Sequence, residues 1–487
     1  MGVFLASGWA VSGQTIPTHP RELVFDTLFF EPPSAEEHRF ELSNGVVVYV
    51  VPDHSLPLIT VSVLVRTGSY LDPPDAPGVA ALTGSQMRAG GTMNFLPSEF
   101  DEEAAFLATE ISSSVGDTSG RVTVNSLSKD LDESLGLLFE MLRNPRFDQA
   151  RLNLAKSRLL QQMERRNDSS QSIEIREWRR LLRGPDHFTT MPMTQSVLES
   201  INREDLLAFH REFYHPGNFI FAVSGDVEPS VIIQKLEMEM VGWPSRDTVA
   251  RRVPAPVHQL EPGVYFVNKP DVNQGRVAIG HGGAMRGNPD RYALMVMNDI
   301  LGGGGFTARL LTRIRSDEGL AYSAYSSFGI GTYYPGVFRV SYQSRSETVA
   351  RAASIVLEEI ERIRTDLVSE AELRTSKASF IETFSRNFSS ASSTAGIFAD
   401  DEFTGRDPSY LVEYRNKISS VNGDDVLRVA QNYLDPEKLV VLIVGDKATI
   451  DAGDPDNPEF VLDSLIDGSV TEIGLPDPFT MEYPIVP

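Results

Sequence analysis

Two stretches of this sequence, about 220 residues apart, follow one plan. The first opens with Ile201-Asn202-Arg203-Glu204-Asp205-Leu206 and runs in a helical pattern to Phe213-Tyr214-His215-Pro216. It continues into an apolar run at 219–223 that stops at Gly225-Asp226. The second opens with Val421-Asn422-Gly423-Asp424-Asp425-Val426 and reaches Tyr433-Leu434-Asp435-Pro436. Its apolar run, 439–444, stops at Gly445-Asp446. In each, Asn is a natural N-cap, because its short side-chain carbonyl accepts from the first free backbone amides. Acidic residues in the first turn then meet the positive end of the helix dipole. The period is far longer than the roughly 20–50 residues of solenoid repeats. It predicts a duplicated domain, and 487 residues are enough for two large ones.

The remaining pattern divides the same way. Leu42-Ser43-Asn44-Gly45 reads as a turn into a strand at 46–51, and 58–66 alternates as a following strand would. Helical periodicity covers 102–107, 132–142 and 147–166. In the second half, 263–269 and 276–280 read as strands, and 292–301, 349–364 and 369–384 as helices. Between the halves, 244–262 carries Pro244, Pro254, Pro256 and Pro262 with little periodicity, which is linker composition. The tail is acidic and broken by Pro and Gly, so it is expected to wrap the surface or lack order. Mixed strands and helices in two equal lobes make the class α+β. The expected map is an N-terminal segment 1–35, a first lobe 36–243, the linker 244–262, a second lobe 263–447 and the tail 448–487. The lobes are expected to fold as separate units.

Composition closes several routes. With no cysteine, disulfides, thiol catalysis and thiolate metal sites are excluded. Lys and Arg number 44 against 67 Asp and Glu, a net charge of −23, which repels phosphate backbones and argues against nucleic acid. No stretch approaches 18 consecutive apolar residues, so no membrane span is expected. Residues 3–11 are mostly apolar and lead into Ser12 and Gly13, like the second half of a secretory signal. The positive n-region is missing, since the first basic side chain is Arg21. The expectation is a trimmed signal and an exported, periplasmic protein, with the cytoplasm as the alternative. The histidines are His19, His38, His54, His187, His210, His215, His258 and His281, and no two are four apart. His210 and His215 read as helix-end residues near the C-terminal dipole.

Several phrases together resemble the pitrilysin/insulinase family of zinc metallopeptidases, in its mitochondrial-processing-peptidase-like branch. They are Leu42-Ser43-Asn44-Gly45, Gly68-Ser69, Gly78-Val79-Ala80 with Gly91-Thr92, and the segment 213–226. The most specific is Leu301-Gly302-Gly303-Gly304-Gly305-Phe306, continuing through Arg309-Leu310 and Arg315 to Gly319-Leu320-Ala321-Tyr322-Ser323. The resemblance runs from about residue 38 to about 447 and implies two homologous lobes, each a mixed or antiparallel sheet packed with helices. It also implies a helix bearing H-x-x-E-H, whose two His bind zinc while the Glu activates water and a distant Glu completes the ligands. The matching place here reads Ala81-Leu82-Thr83-Gly84-Ser85, and Gln162 stands where the distant Glu is implied. Methyl, hydrogen, hydroxyl and amide groups cannot replace imidazole and carboxylate on zinc. The chain itself is therefore expected to hold no metal and no other cofactor. Ser85 has no His or Lys beside it in sequence and reads as packing or capping rather than as a nucleophile.

The second lobe retains Arg315 and Tyr322 in an R-x6-Y spacing. The resemblance implies that this pair reaches across a substrate cleft, where phenol and guanidinium donors stabilise charge developing on a peptide carbonyl. The alternative is a helix C-terminal cation and a half-buried strand aromatic. Gly302, Gly303, Gly304 and Gly305 either bring backbone close to a bound peptide or form a helix C-cap and tight turn. Without a following Lys-Ser/Thr they are not a phosphate loop. The expected function is a zinc-less subunit of a heterodimeric peptidase. Its homologous partner would carry H-x-x-E-H and the zinc, and its substrate would be a peptide, with the acidic balance favouring basic residues. Two other readings stand beside it. One is a non-enzymatic structural subunit, like the core proteins of respiratory complexes that share this fold. The other is a peptide-binding module acting alone or as a homodimer.

Overall fold

The computed structural model describes residues 30–246, 252–465 and 470–485. The apolar stretch 3–11 and residues 247–251 of the expected linker lie outside the described residues. The first half contributes β1 (Arg39–Glu41), β2 (Val47–Pro52), β3 (Leu58–Val65), β4 (Glu110–Val115), β5 (Gly120–Leu127) and β6 (Phe219–Gly225). They form one sheet in the order β1-β2-β6-β3-β5-β4. The second half contributes β7 (Gly263–Asn268), β8 (Gln274–Gly282), β9 (Ala284–Met285), β10 (Ala321–Phe328), β11 (Ile330–Gly331), β12 (Val337–Arg345), β13 (Val440–Gly445) and β14 (Thr471–Glu472). Their sheet runs β10-β12-β8-β13-β7-β14, with β9 and β11 in a separate small ladder.

The duplication is plain in the pairing. In the first sheet β2 runs parallel to β6, β6 antiparallel to β3, β3 to β5 and β5 to β4. In the second, β7 runs parallel to β13, β13 antiparallel to β8, β8 to β12 and β12 to β10. The repeated sequence phrases become the helices Arg203–Phe213 and Gly423–Tyr433. Both begin with a capping box, Asn202 with Asp205 and Asn422 with Asp425. They feed β6 and β13, whose residues are buried almost throughout. A strand reads as a continuous apolar run, not an alternating one, when both its faces are covered.

One face of each sheet is covered by helices of its own half, and the other by a helix borrowed from the opposite half. The helix Ser170–Arg183 packs on β8 and β13, burying Ile173 and Trp178 among Val267, Ala278, Val440, Leu442 and Val444. In return, the helix Ala391–Thr404 packs on β2, β3 and β6, where Phe398 stacks on His38 at 5.8 Å between ring centroids. Each borrowed helix carries acids that meet arginines on the sheet it covers. Glu174 pairs with Arg276 on β8 and Arg339 on β12. Asp400 pairs with Arg121 on β5, and Glu402 with Arg39 on β1. The described residues from Pro32 onward pack as one compact unit. The expectation of independently folding lobes therefore gives way to two halves interlocked by exchanged helices.

One further expectation narrows and another changes. Within the described residues the tail is ordered, adding β14 alongside β7 and then crossing to the first half. There Arg166 Nη1 donates to Pro478 O at 2.9 Å and the Gln195 amide to Phe479 O at 2.9 Å. His210 does sit in the last turn of its helix, but it is buried and its Nε2 meets Leu142 O at 2.8 Å. Burial pulls its pKa down to about 4, so it is neutral and no dipole-stabilising cation.

Candidate functional site

The helix Val79–Ala89 carries the positions implied for zinc. It starts at Gly78, in the left-handed region at φ 105°. The Asp72 carboxylate accepts from the amides of Gly78 at 2.8 Å and Ala80 at 2.6 Å. Burial lifts the Asp72 pKa to about 6, against the pull of those two bonds. Ala81 and Ser85, one turn apart, lie on the exposed side. Ser85 Oγ donates to Leu82 O at 3.1 Å, so its proton is spent on the helix rather than poised for chemistry. Gly84 is turned inward against β4. A Cβ there would stand 2.5 Å from Val115 N and 2.8 Å from the Ser114 carbonyl carbon. No glutamate fits that position unless β4 moves. The residues present do not suit a catalytic zinc. Among the described residues no group of three His, Asp or Glu is placed to hold a metal ion.

Gln162 lies near the end of the helix Gln149–Glu164, exposed, on a cavity of about 590 Å³ that Arg165, Arg166, Arg176, Arg179 and Arg180 also line. This basic cluster was not anticipated from the sequence. Its signal was the density of arginine between 165 and 183 in an otherwise acidic chain.

In the second half the helix Arg291–Asn298 runs on into a wider turn, Asp299–Gly303, which begins the glycine run. A Cβ on Gly302 would lie 2.5 Å from Ser326 Oγ on β10. One on Gly303 would lie 2.7 Å from Asn298 Nδ2, and one on Gly304 2.8 Å from Asp299 O. Gly302 and Gly304 are required by packing against backbone, whereas a Cβ on Gly303 would displace only the end of the Asn298 side chain. Gly305 is different: it has φ +63° with open space around it, and it turns the chain so that Phe306 stands 80% exposed. Arg309 then anchors the loop, its Nε and Nη2 reaching the two Glu372 oxygens at 2.6 and 3.2 Å. Burial would raise the Glu372 pKa, but hydrogen bonds from Arg309 and Ser369 outweigh it and hold the carboxyl at about 2.

Arg315 lies in the turn Thr312–Asp317, and Tyr322 on β10, the edge strand of its sheet. The register of β10 against β12 slips between Ala321 and Ala324. Such a bulge re-aims the side chains within it. Tyr322 is 81% exposed, which removes the half-buried alternative. The Arg315 guanidinium carbon lies 4.6 Å from the Tyr322 ring centroid and 5.2 Å from that of Phe306. The structure thus brings together the two residues singled out in the sequence and adds Phe306. The signal for Phe306 was a large aromatic directly after a glycine run.

Comparison with known proteins matches both halves. The insulinase (peptidase family M16) model covers residues 47–179, and the peptidase M16 inactive domain model covers 200–380. The chain belongs to peptidase family M16. It is 22% identical over 413 residues to the uncharacterized zinc protease YmxG of Bacillus subtilis, spanning 83% of this chain and 97% of that one. It is 21% identical over 436 residues to the probable beta subunit of the mitochondrial-processing peptidase of Arabidopsis thaliana, spanning 85% and 79%. The solved peptidase M16 inactive domain from Pseudomonas fluorescens superposes with a TM-score of 0.75 at 22% identity, covering 84% of this chain and 98% of that one. H-x-x-E-H occurs nowhere in this M16 chain. No helix among its described residues is long and apolar enough to cross a membrane.

Proposed function

We propose that this M16 chain is the zinc-less subunit of a composite peptidase, lending Arg315 and Tyr322 to a homologous partner that carries H-x-x-E-H and its zinc. The observation that carries the reading is the exposed stack of Phe306, Arg315 and Tyr322. Two large aromatics this exposed add little to the core. Their contact with one guanidinium is worth only about 0.5–1 kcal/mol at such a site. Grouped exposed aromatics are better explained by a ligand surface than by folding. The chemistry agrees. Amide hydrolysis builds negative charge on the carbonyl oxygen, and a phenol O–H with guanidinium N–H groups can donate to it without reorganising. The packing of Gly84 against β4 leaves no room there for the glutamate that H-x-x-E-H requires. A relative named as one subunit of a processing peptidase fits a chain that works in a pair.

The test is reconstitution. Mixed with its H-x-x-E-H homologue, the chain should form a stable complex that hydrolyses a quenched fluorescent peptide, which neither chain does alone. A homologue fully active without this chain would contradict the reading and favour a scaffold role.

A further inference from the structure

A strongly basic cavity lies on a chain whose net charge is −23. It encloses about 590 Å³ and is lined by Arg165, Arg166, Arg176, Arg179 and Arg180, with Gln162 at its edge. The helix Ser170–Arg183 buries Ile173, Glu174, Glu177 and Trp178 on its inner side. Positions 172, 176 and 179, at i, i+4 and i+7, therefore share the opposite side.

Among the described residues no Asp or Glu lines the cavity. The two carboxylates buried on that helix are already engaged. Glu177 accepts from Arg176 Nε at 2.7 Å and from the Tyr483 hydroxyl at 3.0 Å. Glu174 is held by Arg276 and Arg339. Arg166 reaches only carbonyls, Pro478 O at 2.9 Å and Met193 O at 2.7 Å. Burial, and then the charge of Arg176, pull its pKa down. Arg180 lies 3.8 Å from the Tyr483 ring centroid. Among the described residues Arg165 and Arg179 have no side-chain hydrogen bond and no carboxylate partner. Five guanidiniums with one carboxylate, Glu177 on Arg176, among them repel one another, and an anionic ligand relieves that repulsion.

We infer that this cavity binds an acidic peptide segment, with Arg165 and Arg179 as its principal carboxylate contacts. Guanidinium and carboxylate match as planar, two-point partners. The volume falls within the roughly 300–1,000 Å³ of pockets that enclose drug-sized ligands. Ile175, Met191 and Pro192 add apolar wall that a lone inorganic anion would not use. The inference deepens the peptide-binding reading and rests on it. It also reverses the preference for basic peptides expected from net charge, because a ligand meets the local field and not the total.

The test uses the full chain alone, so its outcome is independent of the reconstituted hydrolysis. Fluorescence anisotropy compares a labelled peptide of alternating Glu and Ala with its Lys-for-Glu counterpart. The Glu peptide should bind, more weakly as salt rises, and the Lys peptide should not. The double variant Arg165→Ala/Arg179→Ala, whose side chains hold nothing else in place, should keep its melting temperature and lose about tenfold or more in affinity. Arg165→Lys/Arg179→Lys should fall between, keeping the charge and losing the two-point geometry. Equal binding of both peptides, or no change in the alanine double variant, would overturn the inference. So would inorganic phosphate binding as tightly as the Glu peptide, which would mark a simple anion site.

Discussion

The two halves of this molecule share one sheet path and one way of covering it, yet they present opposite surfaces where chemistry would occur. In the first half, the helix Val79–Ala89 has been absorbed into the fold. Asp72 caps it, Gly84 is pressed on β4, and Ala81 and Ser85 offer solvent nothing reactive. In the second half, Gly305 and the β10 bulge carry Phe306 and Tyr322 out of the fold around Arg315. One duplicated scaffold can thus carry a tightly packed helix in one copy and an exposed aromatic and guanidinium cluster in the other, because surface chemistry resides in a few side chains and not in the sheet.

The comparison can be pressed first through the borrowed helices, where the largest effect is expected. Glu174 is 1% exposed and is shared by Arg276 and Arg339, each about one-fifth exposed, so Glu174→Ala removes the buried carboxylate of both pairs and should cost about 3 kcal/mol in urea unfolding. Its counterpart Glu402 is 30% exposed, and Glu402→Ala should cost about 1 kcal/mol or less. Equal costs would mean the two exchanges are not built differently. Next comes rebuilding the metal motif. Ala81→His with Gly84→Glu and Ser85→His forces a side chain into β4 and should lose about 1–3 kcal/mol. Elemental analysis should find no stoichiometric zinc, because Gln162 still lacks the third ligand's charge. A stable variant with one zinc per chain would show that the first half is only emptied, not refolded around its loss.

The smallest effect concerns the anchor of the glycine loop. The Glu372 pKa is about 2 in the folded chain against an ordinary 4.5. The folded state therefore binds fewer protons, so the pair's stabilisation is complete above pH 4.5 and is lost as pH falls towards 2. With the pair partly exposed, its worth is about 1 kcal/mol. Thermal melts should show Glu372→Gln below the parent at pH 7, with the gap narrowing below pH 4.5 and closing only near pH 2. A constant gap would remove the ion pair from the account.

Much of this architecture was legible because it was written twice. The Asn202 and Asn422 caps, with the apolar runs behind them, located β6 and β13 and the duplication. The positions of the degenerate motif and of the Arg315–Tyr322 pair came from the family resemblance and not from spacing alone. The helix exchange was not legible, because the amphipathic pattern of Ser170–Arg183 shows that a face is buried but not against which sheet. Periodicity likewise could not show that Gly302 serves packing, since that depends on Ser326 of β10 approaching from elsewhere in the fold. The arginine cavity escaped because net charge averages over the whole chain. It assembles only when the turn after Glu164 folds against Ser170–Arg183.

The central claim is that Tyr322 acts on substrate and not on the fold. Tyr322→Phe keeps the ring on Arg315 and removes only the hydroxyl, so melting temperature, complex formation with the H-x-x-E-H partner and the partner's zinc content should all stay constant. Turnover of the reconstituted complex should nevertheless fall by about 10²-fold, the typical loss when one oxyanion donor is removed. Unchanged turnover in a well-formed complex would make the tyrosine a surface residue and this chain a scaffold.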